Sequence, residues 1–165
     1  MISLNILEVK SFMAKLLTNT TFDSFILCEL DLQTFTNFSI SGQFNEAFFN
    51  KEELEERKDK NFVLWNDVRQ IVFSMIKGSK TPLSLKIVFK LQLPLCEELI
   101  KRSGGRFRLE EIGGLYFNIR FEKNELHLIS GTAIKTFTLD KTLEQEWDME
   151  VKSFLKTNGI GYEEE

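Results

Sequence analysis

Between Pro82 and Leu93 the chain places Leu83, Leu85, Ile87, Phe89, Leu91 and Leu93 at every second position, with Ser84, Lys86, Lys90 and Gln92 among the residues between them. A period of two sends the two sets to opposite faces of an extended strand, so one face is dry and the other wet. A strand of that kind needs neighbours with the same alternation, and the chain supplies them. Ile26, Cys28, Leu30 and Leu32 alternate with Glu29, Asp31 and Gln33, and Phe38, Ile40 and Phe44 alternate with Asn37, Ser39 and Ser41. These two runs predict an antiparallel hairpin with one wet face. Leu115, Phe117, Ile119 and Phe121 then alternate with Tyr116, Asn118, Arg120 and Glu122, and "EKNE" turns this strand into a partner carrying Leu126 and Leu128. A shift of the alternation at Ser130 and Gly131 predicts a bulge there.

Helical periodicity fills the remainder. Asn5 with Glu8 has the form of a capping box, ahead of Ile6, Val9, Met13, Leu16 and Leu17, and predicts a helix from Ile6 to Thr18. A second box, Asn50 with Glu53, opens "NKEELEERKDK", where Leu54 is nearly alone as an apolar residue; this predicts a short surface helix with a Glu53–Arg57 pair. Trp65, Val68, Ile71, Val72, Met75 and Ile76 form a broad apolar face that stops at Gly78. Pro94 opens a helix buried through Leu95 and Leu99, with Gly104 as its left-handed cap. Asp140 caps a last helix whose stripe is Leu143, Trp147, Val151, Phe154 and Leu155, ending before Gly159.

The expected fold class is α+β, a mainly antiparallel sheet packed against helices on one face, with residues 1–165 as a single domain. The composition fits: 42% hydrophobic residues, 28% charged, 16 Phe and only 2 Pro read as one globular unit with an aromatic core. A helix-then-hairpin order occurs twice, and both hairpins end in Ile-Ser-Gly, at Ile40 to Gly42 and Ile129 to Gly131, a hint of pseudo-duplicated halves. In outline this order is similar to one domain of a DNA sliding clamp, which would imply basic helices facing DNA. Here Lys10 and Lys15 stand with Glu8, and Arg69 and Lys77 with Asp67, and the long last helix is foreign to the clamp pattern.

No apolar run approaches the ~20 residues of a membrane span, and Met1 to Leu7 lacks the basic start of a secretory signal, so a soluble, cytoplasmic chain is expected. Cys28 and Cys96 sit far apart in apolar settings and are expected as shielded thiols without a disulfide.

Charge is unevenly laid down in a chain of net charge −4. From Lys77 to Arg108 eight cations face only Glu97 and Glu98, while from Asp140 onward three lysines face eight acids. The basic stretch either docks an anion or pairs with the acidic C-terminal segment. Its densest part, "KRSGGRFR", makes Lys101, Arg102, Arg106 and Arg108 the candidate anion-binding residues. Lys101 and Arg102 also suit the last turn of a helix, where cations complement the dipole, and Arg106 and Arg108 suit the wet side of a strand. Its glycines follow a helix end, whereas a phosphate cradle needs amides at a helix start, so a structural role is favoured.

Other motifs lead nowhere catalytic. "GSKT" at Gly78 to Thr81 lacks the upstream Gly and the strand-to-helix order of a phosphate loop. His127 is the only histidine, so a zinc site has little material to work with; a triad would have to use it, nothing near Ser130 resembles a nucleophile elbow, and no cofactor is expected. Acidic pairs such as Glu29 with Asp31 lie on the polar face of an amphipathic strand; Lys86 and Lys90, together with Arg120 and Glu122, occupy corresponding polar faces, so opposite charges across the sheet account for them. Phe107 or Tyr116 beside the basic stretch offers local, salt-dependent nucleic-acid contact.

"WNDVRQIVFSMIKGSKTPLSLKIVFKL" and "GLYFNIRFEKNELHLISGTAIKTFTLDK", followed by Trp147, resemble an uncharacterised family of small intracellular bacterial proteins, a domain of unknown function, over most of the chain. The features that carry the resemblance are Trp65, Lys77, Gly78, Pro82, Asn118, Arg120, Gly131, Thr132, Lys135 and Asp140. The resemblance implies no activity. The expectation is a non-enzymatic binding or adaptor module; the alternative is a small enzyme or nucleic-acid-associated protein that holds an anionic ligand through residues 77–108. The expected partner is a protein or an anionic ligand, with no membrane.

Overall fold

The computed structural model describes residues 1–57, 61–76, 78 and 80–165. Among them run β1 (Ser3–Ile6), α1 (Val9–Leu17), β2 (Ile26–Gln33), β3 (Asn37–Ser41), α2 (Lys51–Glu56), α3 (Trp65–Ile76), β4 (Ser84–Lys90), α4 (Leu93–Arg102), β5 (Ile112–Glu122), β6 (Glu125–Ile134), α5 (Thr142–Thr157) and β7 (Tyr162–Glu164). The strands form one sheet in the order β3-β2-β4-β5-β6-β1-β7, antiparallel at every pairing. This is the expected α+β class.

The alternation in β4 does what the spacing predicts. Leu85, Ile87 and Phe89 are buried, and Ser84, Lys86, Val88 and Lys90 are half-exposed. The strand is shorter than its alternating run. Leu83 stands exposed ahead of it, and Leu93 already belongs to α4. On the dry face Phe89 packs against Phe22, Phe25 and Trp65, and Phe117 against Phe154, with ring centroids 5.3–6.2 Å apart. Phe12 of α1, Trp65 of α3, Leu99 of α4 and Trp147 of α5 join that one core, so these four helices cover one side of the sheet. The Trp65 indole N–H donates to the Leu16 carbonyl at 2.8 Å and ties α3 to α1.

Several local expectations hold. Asn50 and Glu53 form a capping box with both bonds at 2.8 Å. Lys123 and Asn124 adopt φ +52° and +63°, a two-residue turn whose twist suits the β5–β6 hairpin. Asp140 accepts from the Thr142 backbone N–H at 2.9 Å and caps α5 from one residue further out than a standard cap. α3 ends at Ile76 and Gly78 takes φ +143°. Lys77 of the basic stretch, Ser79 of "GSKT" and residues 58–60 near the end of "NKEELEERKDK" lie outside the described residues.

Five expectations are corrected. The Asn5–Glu8 box does not form: Asn5 lies in β1, paired with His127 and Glu163, and α1 starts at Val9 without a side-chain cap. Sheet pairing buries Leu4 and Ile6 together, which a helix start would not do. No bulge occurs at Ser130 and Gly131, where the register with β5 is continuous; the irregularities fall at Leu27/Glu29 and Ile112/Gly114. Phe44 is buried beyond the end of β3, and Arg57 bonds Asp67 at 3.1 Å in place of Glu53. Finally, the two Ile-Ser-Gly segments are not equivalent. Ser41 lies on the exposed face, whereas Ser130 is fully buried, donates to the Asp148 carboxylate and accepts from the Ile2 N–H at 3.0 Å.

No disulfide joins the cysteines. Cys96 is buried in α4, and burial raises its thiol above the ordinary range. Cys28 sits at the β2 bulge and is half-buried, because the bulge hands the core position to Leu27. A thiol reagent is therefore expected to label Cys96 slowly in the native protein and fully in denaturant, with Cys28 reacting ahead of it. Mass spectrometry of the labelled peptides checks the order; rapid native labelling of Cys96 would contradict it.

Candidate binding face

The side of the sheet opposite the helices carries the polar set of every strand. Register aligns them in rows. Asp31 of β2 faces Lys86 of β4, which faces Arg120 of β5, which faces His127 of β6, which faces Asn5 of β1. Directly opposed side chains lie about 5 Å apart at Cβ, and like charges so placed repel. Lys86 is relieved by Glu29 at 3.0 Å. His127 is flanked by Glu125 at 3.4 Å and Glu165 at 3.1 Å. Arg120, exposed between them, forms no ion pair among the described residues. The cross-strand charge pairing expected from sequence thus holds for Lys86 and not for Arg120.

Two rows along, past Val88, Asn118 and Ile129, Lys90 faces Tyr116, which faces Gly131. The Lys90 ammonium is 6.0 Å from the Tyr116 ring centroid, at the outer range of a cation–π contact. Gly114 makes this possible: a Cβ there would meet the Tyr116 ring at 2.8 Å and the Lys90 Cε at 2.9 Å. Burial raises the Tyr116 phenol above its ordinary value, with Cys28 adding to the shift, so it stays a neutral donor and acceptor at physiological pH. Asn118 sits between the two rows and donates weakly to the Ile129 carbonyl at 3.4 Å. The open face therefore joins Lys86, Lys90 and Arg120, cations from two adjacent strands, with an aromatic and an amide, and its acids stand on β2, at the β5–β6 turn and at β7 with the C-terminal Glu165.

The basic segment named from the sequence has a different geometry. The Gly105 N–H donates to the Ile100 carbonyl at 2.9 Å and the Gly104 N–H to the Lys101 carbonyl at 3.2 Å, with Gly104 at φ +109°. These two bonds are the paired closure of a helix C-terminus, so the glycines end α4 as expected. Arg102 bridges Glu146 at 2.9 Å and Glu150 at 2.7 Å, one turn apart on α5, and the Glu150 bond holds its guanidinium firmly charged. Arg106 reaches Asp140 at 3.3 Å. The Asp140 carboxyl lies below its usual range, chiefly through the Thr142 backbone and hydroxyl donors and less through Arg106. Arg106 and Arg108 do not lie on a strand: Arg108 heads the turn Leu109–Glu111 and meets Glu111 at 3.8 Å. Lys101 is exposed in the last turn of α4 and forms no ion pair among the described residues. The basic stretch and the acidic C-terminal segment thus meet through Arg102 and Arg106.

Sequence reading missed the Lys86–Arg120–His127 row. All three are legible as wet-face residues, but their juxtaposition depends on strand order and register, which alternation does not encode. Among the described residues no group of three or more His, Cys, Asp or Glu could hold a metal, and no helix is long and apolar enough to cross a membrane.

A seven-stranded antiparallel sheet with helices on one side and a charged face on the other defines this chain as a one-sided α+β protein. It belongs to a family of unknown function (DUF5721), whose model matches residues 15–163. No curated protein and no solved structure matches it.

Proposed function

We propose that the chain is a non-enzymatic binding or adaptor module whose open sheet face receives an acidic segment of a partner protein. The observation that carries this reading is Arg120, exposed at the centre of that face between Lys86 and His127 and without an ion pair of its own. A carboxylate seated there relieves the repulsion along the row, and Arg presents a planar fork suited to it. Two inter-strand spacings separate β4 from β6, about 10 Å, a span matched by a short acidic stretch. The same reading places the module in the bacterial cytoplasm, supported by the sequence resemblance and by two cysteines without a disulfide.

A second reading keeps the anion at Lys101, Arg102, Arg106 and Arg108, favoured by the exposure of Arg106 and Arg108, whose side chains are 64% and 80% accessible. It requires the anion to compete with Glu111, Asp140, Glu146 and Glu150. One titration separates the two. Amide shifts of the isotope-labelled chain are followed with a hexaglutamate peptide and with inorganic phosphate, at low and moderate salt. Shifts centred on Lys86, Asn118 and Arg120 that vanish in Arg120→Glu support the sheet face. Shifts centred on residues 101–108 that vanish in the double reversal Arg106→Glu with Arg108→Glu support the second reading. That double variant is expected to keep its melting temperature nearly unchanged, because exposed ion pairs contribute little; a fall of many degrees would assign these arginines to folding.

A further inference from the structure

On the helical side, α1 and the end of α3 leave a groove between them of about 400 Å³. Val9, Met13 and Leu17 follow at intervals of four along α1 and so share one wall, and Phe73 and Ile76 of α3 form the other. Phe73 is 42% exposed, unlike Trp65 and Val72 of the same helix, which are fully buried. Phe73 and Ile76, three residues apart, thus present a partly exposed apolar edge of α3 to the groove. The charged residues lining the groove are Lys10 and Lys80, and no carboxylate lines it among the described residues. Neither lysine forms an ion pair among those residues. In a chain with net charge −4, an apolar groove edged by cations alone is complementary to an apolar segment edged by acids.

We propose that this groove docks a short amphipathic helix of a partner protein, with apolar side chains on one face and Asp or Glu beside them. Two helices offer a trough that fits a third, whose anchors recur every three or four residues. Of the apolar side chains that this chain itself exposes, the pair Phe137 and Leu139 fits less well. Its side chains are spaced by two along a loop, the interval of an extended chain. With the sheet face on the other side of the molecule, the groove supplies the second surface that an adaptor needs, and it is tested independently of Arg120.

Short random peptides displayed on phage and panned against the full chain provide the test, followed by fluorescence anisotropy of the most enriched peptide. Enriched sequences are expected to carry apolar residues at helical spacing with acids between them. Their affinity is expected to fall about tenfold or more in Lys10→Glu with Lys80→Glu and in Phe73→Ala, and to stay unchanged in Arg120→Glu. The lysine reversals lie on the surface and should leave the melting temperature nearly unchanged, which separates lost binding from lost folding. Absence of enrichment, a consensus without acids, or binding indifferent to these substitutions overturns the proposal. So does sedimentation showing concentration-dependent self-association that Phe73→Ala abolishes, since a second copy would then be the occupant.

Discussion

Trp147→Ala is expected to lower the stability of the chain by about 3–5 kcal/mol, a large part of the ~5–15 kcal/mol typical of a domain. Trp147 is 2% exposed, at the middle of a stripe in which Leu143, Val151 and Leu155 are also buried, and its indole N–H donates to the Tyr116 carbonyl at 2.9 Å. Alanine removes the ring from the core and the indole donor from that β5 carbonyl. For a chain of this size the melting temperature should fall by roughly 10 °C, read by circular dichroism alongside urea denaturation. Trp147→Phe keeps most of the apolar area but not the hydrogen bond, and should fall between the two. Truncation after Thr138 removes the whole stripe together with β7 and is expected to give a molten or insoluble product. A truncated chain that stayed monomeric and cooperatively folded would sink this account, because the stripe would then be free in the native protein.

A similarly large loss is expected from Gly42→Ala. Its backbone is pressed against the β2 bulge: the Gly42 N–H donates to the Cys28 carbonyl at 2.9 Å, and its own carbonyl accepts from Val63 at 2.8 Å. A Cβ built there lies 1.7 Å from the Leu27 carbonyl oxygen, a backbone atom that cannot turn aside. Overpacking of this kind costs about 1–3 kcal/mol and more when backbone must move, so about 3 kcal/mol or above is expected. Gly131→Ala is the control. It ends the same Ile-Ser-Gly tripeptide, yet its nearest neighbours stand at 3.8 and 3.9 Å and its φ is not left-handed, so its cost should stay near the ~1 kcal/mol of an ordinary substitution. Equal effects at the two glycines would show that the bulge yields, and that the close approach at Gly42 is not a constraint.

The contrast between these tripeptides bears on what a sequence can carry. Ile40 to Gly42 and Ile129 to Gly131 read identically, but one sits at the end of edge-strand β3 and the other inside β6, with their serines on opposite faces. A local match says nothing about which strand will lie alongside. The bulge placed from sequence at Ser130 failed for a related reason: the change in pattern reflects a buried serine held by Asp148, not an extra residue.

Alternation and helical period, being properties of neighbouring residues, were enough to determine β2, β3, β4 and the β5–β6 hairpin, the stripe of α5, and the α+β class. So were the end of α4 at Gly104 and the Asn50–Glu53 box, because caps are closed by residues within a turn of each other. Tertiary structure decided the rest. Strands β1 and β7 are short and gain their hydrogen bonds only from each other and from β6, more than a hundred residues from β1 in sequence, so Asn5 could imitate a helix cap. The pairing of Arg102 with Glu146 and Glu150 settled how the basic stretch meets the acidic C-terminal segment, a contact between α4 and α5 that charge counting could pose but not resolve. The placing of Arg120 between Lys86 and His127, like the exposure of Phe73 at the α1–α3 groove, follows from strand order and helix packing. Each residue type was visible in the chain, but its exposure depends on what the rest of the fold brings, or fails to bring, against it.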